Sequence, residues 1–508
     1  MTTSTSNTEV SEALSVQTDQ KPVRQVARQQ SLRRRHTLAS RLAFLTVCVA
    51  IVLTTLAYGT VHYWALAVFA VSAAGLAVFW VIDAAVLRSV IVPVNPLQWP
   101  ILGIIVLGLV QLLPWRAHDD AGLSLSPVRS LSLDPYATRL VIAQIAALLI
   151  YFAVTTMFVD TPRRLKALVR TITIFGFLLA AFGLTQSFTS DGTRVYWFRQ
   201  LTQSTAFGPF INRHHFAGYM ELALAIPLGL LASGALESYK RPLYAFAAVV
   251  MAMSLVATNS RGGIIALGAE IFFVLVIAGF SWRRKKDQPR AQRIRSTLLR
   301  GGAAMGIVLV LLGGALLLSG PEVFTRFLGT PIAEDPTTGR AHFWNVTLDV
   351  IKAHPLLGSG LGSFSVIYTR YDTRNGLYRL EQAHNDYLQT LSDAGLIGAI
   401  LGLAFVVILF RRGFQRRETH DEFRRGVTTG ALAGCFAVLV HSFFDFTLHT
   451  TANTLLFVII CAIATQDTRI NTTYELHDRR RRRNRNGKSE PESTETAPAP
   501  AIDVAAAS

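Results

Sequence analysis

Charged side chains are scarce in this sequence of 508 residues. They make up 16% of it, while 51% of the residues are hydrophobic. Soluble domains carry about 25% charged residues. The shortage excludes a water-soluble globular protein and indicates a protein that is surrounded by membrane lipids.

Acidic residues are scarcer than basic ones. The chain has 32 Asp and Glu against 49 Lys and Arg, which gives a formal charge of +17. A basic excess can indicate a nucleic-acid partner, but here the basic residues lie between apolar runs and form no single patch. That placement follows the positive-inside rule of membrane proteins, so we expect no nucleic-acid partner.

Cysteine is rare, and metal-binding spacings are lacking. Cys48, Cys435 and Cys461 all lie in apolar runs, which argues against a disulfide framework and favours buried, free thiols. The histidines of residues 212–215 (NRHH) are adjacent, and adjacent histidines do not readily converge on one ion. The sequence has no HExxH motif and no nucleotide-binding motif. We therefore expect no metal and no cofactor.

The N-terminal segment lacks the features of a secretory signal. Residues 1–36 are polar and end in three arginines and a histidine, and the apolar run that follows is longer than the core of a signal peptide. We expect the first helix to stay as a membrane anchor. Residues 1–40 and 469–508 are both predicted to be disordered, basic tails, since neither can bury enough apolar surface to fold.

Long apolar runs fill the region between these tails. A helix needs roughly 20 apolar residues to cross a bilayer, and about twelve runs approach that length. They lie at 41–59, 63–86, 98–115, 137–159, 167–187, 215–234, 241–258, 262–280, 300–319, 389–410, 426–446 and 452–467. The predicted fold is an all-α polytopic membrane protein, with a multi-span domain over 41–467 and one large loop, 320–388, that contains short helices.

Charge predicts which face each connection occupies. Basic residues are concentrated in four short connections, at 163–166, 240–241, 283–290 and 411–425. With twelve spans these lie on the same side as both tails, and the positive-inside rule makes that side cytoplasmic. The opposite face, periplasm or cell exterior, then receives the connections at 116–136, 188–214, 258–263, 320–388 and 449–451.

Three arginines lie on this outer face against the charge rule: Arg213, Arg261 and Arg340. Arg261 either reaches the lipid headgroups or caps a helix, or it binds an anion, and the two glycines after it favour a rigid turn suited to phosphate. Arg340 begins an amphipathic pattern and either faces water from an interfacial helix or binds the same anion. Arg213 is a further contact for that anion, with Asn212 as a helix cap.

His384 is the candidate general base. Imidazole titrates near neutral pH, so it can accept a proton and release it, although a histidine in a loop can also be a plain surface residue. Asn385 and Asp386 can cap the helix that follows. Either Asp386 or Glu381 could orient the imidazole. His441 and Asp445, at i, i+4 spacing, are either structural contacts within the membrane or part of a cavity wall.

Several short motifs occur together in a fixed order. They are residues 208–212 (GPFIN), 258–263 (TNSRGG), 339–344 (GRAHFW), 355–360 (PLLGSG), 384–389 (HNDYLQ), 395–398 (GLIG) and 441–446 (HSFFDF). Over about 130–467 the chain resembles the O-antigen ligase and Wzy-type polymerase superfamily of bacterial envelope proteins.

The resemblance implies a multi-pass protein of the bacterial inner membrane with a periplasmic active site and cytoplasmic termini. It implies an inverting, metal-independent glycosyltransferase whose donor is a glycan on undecaprenyl diphosphate. His384 would deprotonate the acceptor hydroxyl, and Arg261 and Arg340 would hold the diphosphate. The acceptor would be lipid A-core for a ligase, or a growing polysaccharide such as O-antigen or exopolysaccharide for a polymerase.

Three alternatives stay open. A protein O-oligosaccharyltransferase of the same superfamily would use a Ser or Thr acceptor. A multi-span transporter would explain the number of helices, but transporters usually contain internal repeats, and the segments around Arg261 and His384 have no second copy. A purely structural assembly protein is the third.

Overall fold

The apolar runs of the sequence fold into α-helices. The computed structural model describes residues 36–90, 92, 94–114, 130–202, 204–283, 340–373 and 380–466. In these ranges the helices are α1 (Leu38–Leu56), α2 (Tyr63–Leu87), α3 (Gln98–Gln111), α4 (Pro135–Phe158), α5 (Pro162–Thr189), α6 (Arg213–Ser233), α7 (Arg241–Ala257), α8 (Arg261–Arg283), α9 (Arg340–Ala353), α10 (Phe364–Tyr371), α11 (Asp386–Arg417), α12 (Glu422–His441) and α13 (Thr451–Thr465). Two short antiparallel strands, β1 (Arg194–Val195) and β2 (Arg199–Gln200), join α5 to α6.

The helices fit an all-α membrane protein. Within the described residues, α1, α2, α4, α5, α6, α11 and α12 are the seven helices that are long and apolar enough to cross a bilayer, and α3, α7 and α13 are shorter apolar helices. Eleven of the twelve predicted spans overlap a helix. The span at 300–319 lies outside the described residues, as do residues 1–35, most of the segment 116–136, the part of the large loop at 320–339 and the tail 469–508.

Two predicted spans end earlier than their hydropathy indicates. The span 98–115 forms only Gln98–Gln111, because Pro114 restricts the residue before it and discourages further helix. The span 426–446 ends as a helix at His441, whose carbonyl then accepts from the N–H groups of Phe444 and Asp445 in a turn. Apolar side chains continue through this turn, so hydropathy does not show where the helix ends.

Glycines allow α6 and α12 to pack backbone against backbone. A Cβ at Gly430 would lie 2.3 Å from the carbonyl oxygen of Ala225, and one at Gly229 would lie 2.3 Å from the backbone nitrogen of Gly430. Small residues at four-residue spacing permit such close approach between membrane helices. Both helices are therefore largely buried at the centre of the bundle.

Several helix ends gather at one end of the bundle. His214 at the start of α6 contacts Ser260, which precedes α8. Asp386 at the start of α11 donates its N–H to the carbonyl of Ser442, just after α12. His214 also lies 3.7 Å from Asp445 in the turn after α12, so the ends of these four helices meet, as predicted for connections that share one face.

The basic connections lie at the opposite end. Arg417, at the end of α11, donates to the carbonyl of Ile277 late in α8 and to Thr429 in the second turn of α12. Lys240 precedes α7 and Arg241 is its first residue, and both lie at this same end, since α7 runs back toward Ser260. The bundle thus has one end rich in arginine and lysine.

The described part of the predicted large loop has its own small core. Val346 of α9 packs with Phe364 and Tyr368 of α10, and with Leu380 and Ala383. Trp344 donates its indole N–H to the carbonyl of Ala383. This core holds α9 beside the chain that leads into α11.

A kink in α11 anchors the same loop. Gly395 has φ +63°, and a Cβ there would lie 2.4 Å from the carbonyl oxygen of Leu356, so glycine is required. The freed N–H of Leu396 bonds to the carbonyl of Pro355, and Ser359 bonds to Ser392. Hydrogen bonds thereby join residues 355–360 to α11, and α9 is held near the start of α11.

Candidate functional site

Asp445 is the carboxylate on which the site converges. Its side chain is 1% exposed, with Oδ1 lying 3.3 Å from Nδ1 of His384 and Oδ2 lying 3.4 Å from a guanidinium nitrogen of Arg340. His214 lies 3.7 Å from Oδ2. Burial alone would raise the pKa of Asp445, but the hydrogen bond to His384 and the electrostatic attraction of His214, His384 and Arg340 more than offset it. The pKa therefore lies well below its ordinary value, and the carboxylate is ionised at neutral pH.

His384 presents its imidazole from a strained backbone position. Its φ of +51° is in the left-handed region, immediately before Asn385 caps α11. The ring lies between Phe343, which stacks on it, and the edge-on ring of Phe446, and the side chain is 25% exposed. Because Nδ1 is held by Asp445, Nε2 is left to accept a proton from a bound hydroxyl.

The structure places a different carboxylate beside His384 from the two considered as its orienting residue. Asp386 instead accepts from the hydroxyl of Ser442 at 2.7 Å and contacts His449 at 3.0 Å. Glu381 is exposed, and the carboxylate that contacts the imidazole within the described residues is that of Asp445. Asp445 is the carboxylate in contact with the imidazole, because the chain returns to the start of α11 through the turn after α12.

The Asp386 contacts keep that start of α11 in place. Burial lowers the pKa of His449, but the hydrogen bond and charge of Asp386 and the charge of Asp393 outweigh this effect, so the pKa is raised. Asn385 accepts from the N–H groups of Tyr387 and Leu388, as expected for a cap, and donates to the carbonyl of Phe443. These bonds fix the position of the residue that follows His384.

Arg340 is the first residue of α9, which confirms the predicted helix. Its guanidinium is partly exposed while it contacts Asp445. A guanidinium has five N–H donors, so the contact with one carboxylate oxygen seen in the described part of the chain leaves donors that can reach a second anion. The location of Arg340 thus suits both orienting Asp445 and binding phosphate.

Arg261 begins α8 beside this group. Ser260 caps the helix, since its hydroxyl accepts from Gly263 and its carbonyl accepts from Ile264. Asn259 before it has φ +55°, and a Cβ at Gly262 would lie 2.7 Å from the ring of His441. The cap is therefore the serine, and the half-buried arginine lies at the helix N-terminus, where the backbone also favours anions.

Residues 212–215 contribute two different side chains. Asn212 caps α6 by accepting from the N–H of His214, as predicted. His214 contacts Ser260 at 2.8 Å and lies near Asp445, whereas His215 packs against Phe446. Arg213 is close enough for its charge to act on His214. The two histidines point to different partners and do not converge.

His441 and Asp445 do not pair with each other as side chains. His441 contacts Glu221 at 2.7 Å inside the bundle, while Asp445 faces the site. Within the part of the chain that the structure describes, no three His, Cys, Asp or Glu side chains are grouped as metal ligands would be.

Sequence reasoning missed Ser260 and Glu221 and gave His214 no role. The signal for Glu221 was present, because it is an acidic residue inside an apolar span, and such residues are rarely there without function. Ser260 carries no such signal. Its contact with His214 is recognised only from the structure, in which the ends of α6 and α8 lie together.

This arrangement can perform two tasks together. Arg340 contacts Asp445, while Arg213 and Arg261 directly adjoin His214 and Ser260, which contact each other. Three arginines in this small region favour a multiply charged anion. Beside them, a carboxylate holds an imidazole with one free nitrogen, which favours removal of a proton from a hydroxyl.

A comparison with known families agrees with these features. Residues 246–403 match the family model described as O-antigen ligase. The match confirms the resemblance over α8, α9 and His384, but it is shorter than the predicted extent of 130–467 and does not reach Arg213 or Asp445. No curated protein matches the chain.

Proposed function

We propose that this multi-pass membrane protein, which matches the O-antigen ligase family, transfers a glycan from a polyprenyl diphosphate to a sugar hydroxyl. The observation that carries the proposal is the single carboxylate of Asp445, which contacts both the base His384 and the phosphate ligand Arg340. The transfer takes place at the periplasmic face of the bacterial inner membrane, and undecaprenyl diphosphate carries the donor.

His384 starts the reaction. Its Nε2 accepts the proton of the acceptor hydroxyl, whose oxygen attacks the anomeric carbon from the face opposite the diphosphate. The bond from that carbon to the diphosphate oxygen breaks, so the configuration is inverted and polyprenyl diphosphate leaves with its electron pair. Asp445 stabilises the imidazolium that forms, because its carboxylate lies at Nδ1.

Arginines supply the stabilisation of the leaving group. Negative charge grows on the diphosphate as the bond breaks, and Arg261 and Arg340, with Arg213, offset it. Positioned base catalysis contributes roughly 10²–10⁴-fold, so charge stabilisation and orientation supply the remaining acceleration. No metal is needed for this step, because guanidinium groups take the place of a cation at the diphosphate.

The acceptor defines the class of enzyme. Lipid A-core makes the protein an O-antigen ligase, a growing lipid-linked chain makes it an O-antigen or exopolysaccharide polymerase, and a protein Ser or Thr makes it an oligosaccharyltransferase. Purified protein supplied with lipid-linked glycan and each acceptor in turn separates these outcomes. Release of polyprenyl diphosphate without an ion gradient distinguishes all of them from transport.

Replacement of the base tests the mechanism. We expect His384→Ala to lower the rate of transfer by roughly 10²–10⁴-fold, with unchanged protein abundance. The matched control is His342→Ala, since His342 lies in the same loop but contacts Asp372 at 2.8 Å instead of the site. Wild-type transfer by His384→Ala would rule out the assigned base.

A further inference from the structure

A row of buried polar side chains leads from the site into the bundle. Nδ1 of His214 lies 2.8 Å from the hydroxyl of Ser260, and that hydroxyl lies 3.5 Å from Nε2 of His441. On its other side, Nδ1 of His441 lies 2.7 Å from Oε1 of Glu221. His214 and Glu221 are seven residues apart, so they share one face of α6, with Glu221 about 10 Å deeper.

The inner pair is completely buried. Glu221 and His441 are each 0% exposed, where α6 and α12 pack through their glycines. A buried charge is costly unless it is paired and hydrogen-bonded, and the distance between this carboxylate and this imidazole suits a charge-assisted bond. The proposed transfer reaction makes no use of either group.

The hydroxyl of Ser260 can bond to the two histidines in only two ways. A hydroxyl has one proton and two acceptor lone pairs, and the N–H of Gly263 occupies one lone pair. One acceptor and one donor therefore remain for His214 and His441. Whichever histidine donates to the serine, the other must accept from it.

The presence or absence of a proton on Nε2 of His441 selects between these two arrangements. As an imidazolium beside the carboxylate of Glu221, His441 donates from Nε2 to Ser260, and Ser260 then donates to Nδ1 of His214. His214 is left with its proton on Nε2. As a neutral imidazole that donates to Glu221, His441 accepts from Ser260 and the proton of His214 moves to Nδ1.

We propose that the Glu221–His441 ion pair, acting through Ser260, fixes the tautomer of His214 so that its Nε2–H donates to the donor diphosphate. This inference rests on the proposed function for the identity of the ligand. His214 is suited to that contact, because it is partly exposed, follows Arg213 and lies beside Asp445. Glu221 and His441 are positioning residues in this scheme, and His214 is a binding residue.

Glu221→Gln is the informative variant. The amide keeps the size of the side chain but cannot stabilise an imidazolium, so His441 becomes neutral. With the amide oxygen accepting from Nδ1 of His441, as the carboxylate does, Nε2 of His441 accepts from Ser260 and His214 loses the proton from Nε2. We expect the KM for the lipid-linked donor to rise roughly tenfold or more, as for loss of a hydrogen bond to a charged group, while the KM for the acceptor stays unchanged.

Glu270→Gln is the matched control. Glu270 lies on α8, is also 0% exposed, and its two carboxyl oxygens have no hydrogen-bond partner in the described part of the chain. Glu270 is close enough to Glu221 for their charges to interact, but the same chemical change here breaks no hydrogen bond of the row that leads to His214. We therefore expect the KM for the donor to stay at the wild-type value.

Nitrogen-15 NMR of histidine-labelled protein measures the tautomer directly, with the His214 signal assigned by its loss in His214→Gln. Wild-type protein should show His214 protonated at Nε2, and Glu221→Gln should show it protonated at Nδ1. Protonation at Nδ1 in the wild type, or unchanged donor KM and tautomer in Glu221→Gln, would overturn the proposal. If Glu221→Gln does not fold, the wild-type spectrum alone decides. Absence of glycan transfer by the wild type would instead reject the proposed function.

Discussion

At the residue scale, Asp445 links the proposed base to the proposed phosphate ligand. One oxygen of its carboxylate faces His384 and the other faces Arg340. Its lowered pKa keeps the negative charge in place as the pH falls, so the contribution of these contacts to stability is lost only in strong acid, below the ordinary range for Asp. When a donor diphosphate occupies Arg340, Asp445 can still hold His384.

Asp445→Asn tests this arrangement. The amide has nearly the same shape but no charge, so it neither stabilises the imidazolium of His384 nor enforces its tautomer. We expect the kcat for glycan transfer to fall by roughly 10²–10⁴-fold. Asp372→Asn is the control, because Asp372 pairs with His342 in the same loop and away from the site. Equal kcat values for the two variants would contradict the role of Asp445.

The residues of the site were only partly predictable from the sequence. His384 and Arg340 could be selected by residue type and by their neighbours in the chain. The partner of His384 could not, because Asp445 is 61 residues further on and nearer acids, Asp386 and Glu381, were equally available. The choice among them depends on the turn after α12, which hydropathy does not reveal. The chemical roles of all these residues stay predictions.

At the element scale, the glycine contact between α6 and α12 sets the depth at which Glu221 meets His441. Hydropathy predicted both helices, since a long apolar run needs only its own composition to be recognised, but it placed the end of α12 beyond His441. It did not predict which helices pack together. The pairing depends on Gly229 and Gly430, because a side chain at either position would clash with the backbone of the other helix. This requirement becomes visible only when the two helices are seen in contact.

Gly430→Ala tests this contact. Its new Cβ would lie 2.3 Å from the carbonyl oxygen of Ala225, so the helices must separate. We expect a loss of about 1–3 kcal/mol in stability and a lower Tm in detergent, together with reduced transfer. Gly402→Ala on α11 meets no atom within 4 Å and should leave the Tm nearly unchanged. A Gly430→Ala protein as stable as Gly402→Ala would show that close packing is unimportant there.

At the scale of the whole molecule, the two ends of the bundle differ in chemistry. One end holds the site, and the other holds the basic connections around Arg417. Counting apolar runs predicted this separation, because alternating spans place every second connection on the same face. The total of twelve spans and the side that faces the periplasm stay predictions.

Cysteine labelling in intact cells tests the orientation. All three native cysteines lie within helices, and Cys435 and Cys461 are buried, so background labelling is low. Lys352→Cys introduces a thiol on α9, where the native side chain is 75% exposed, and His420→Cys introduces one in the basic connection. An impermeant maleimide should label the first in spheroplasts and the second only after permeabilisation. The reverse pattern would invert the proposed topology.

The rings of Phe343 and Phe446 on either side of His384 bear on a competing reaction, hydrolysis. An activated lipid-linked sugar is wasted whenever water, instead of a carbohydrate, loses its proton to the base. The two rings leave only a quarter of the imidazole side chain open, which restricts the directions from which water can approach. Phe446→Ala should therefore release more free glycan for each glycan transferred, a ratio that product chromatography measures. Phe443 is an exposed ring outside this pair, so Phe443→Ala should leave the ratio unchanged.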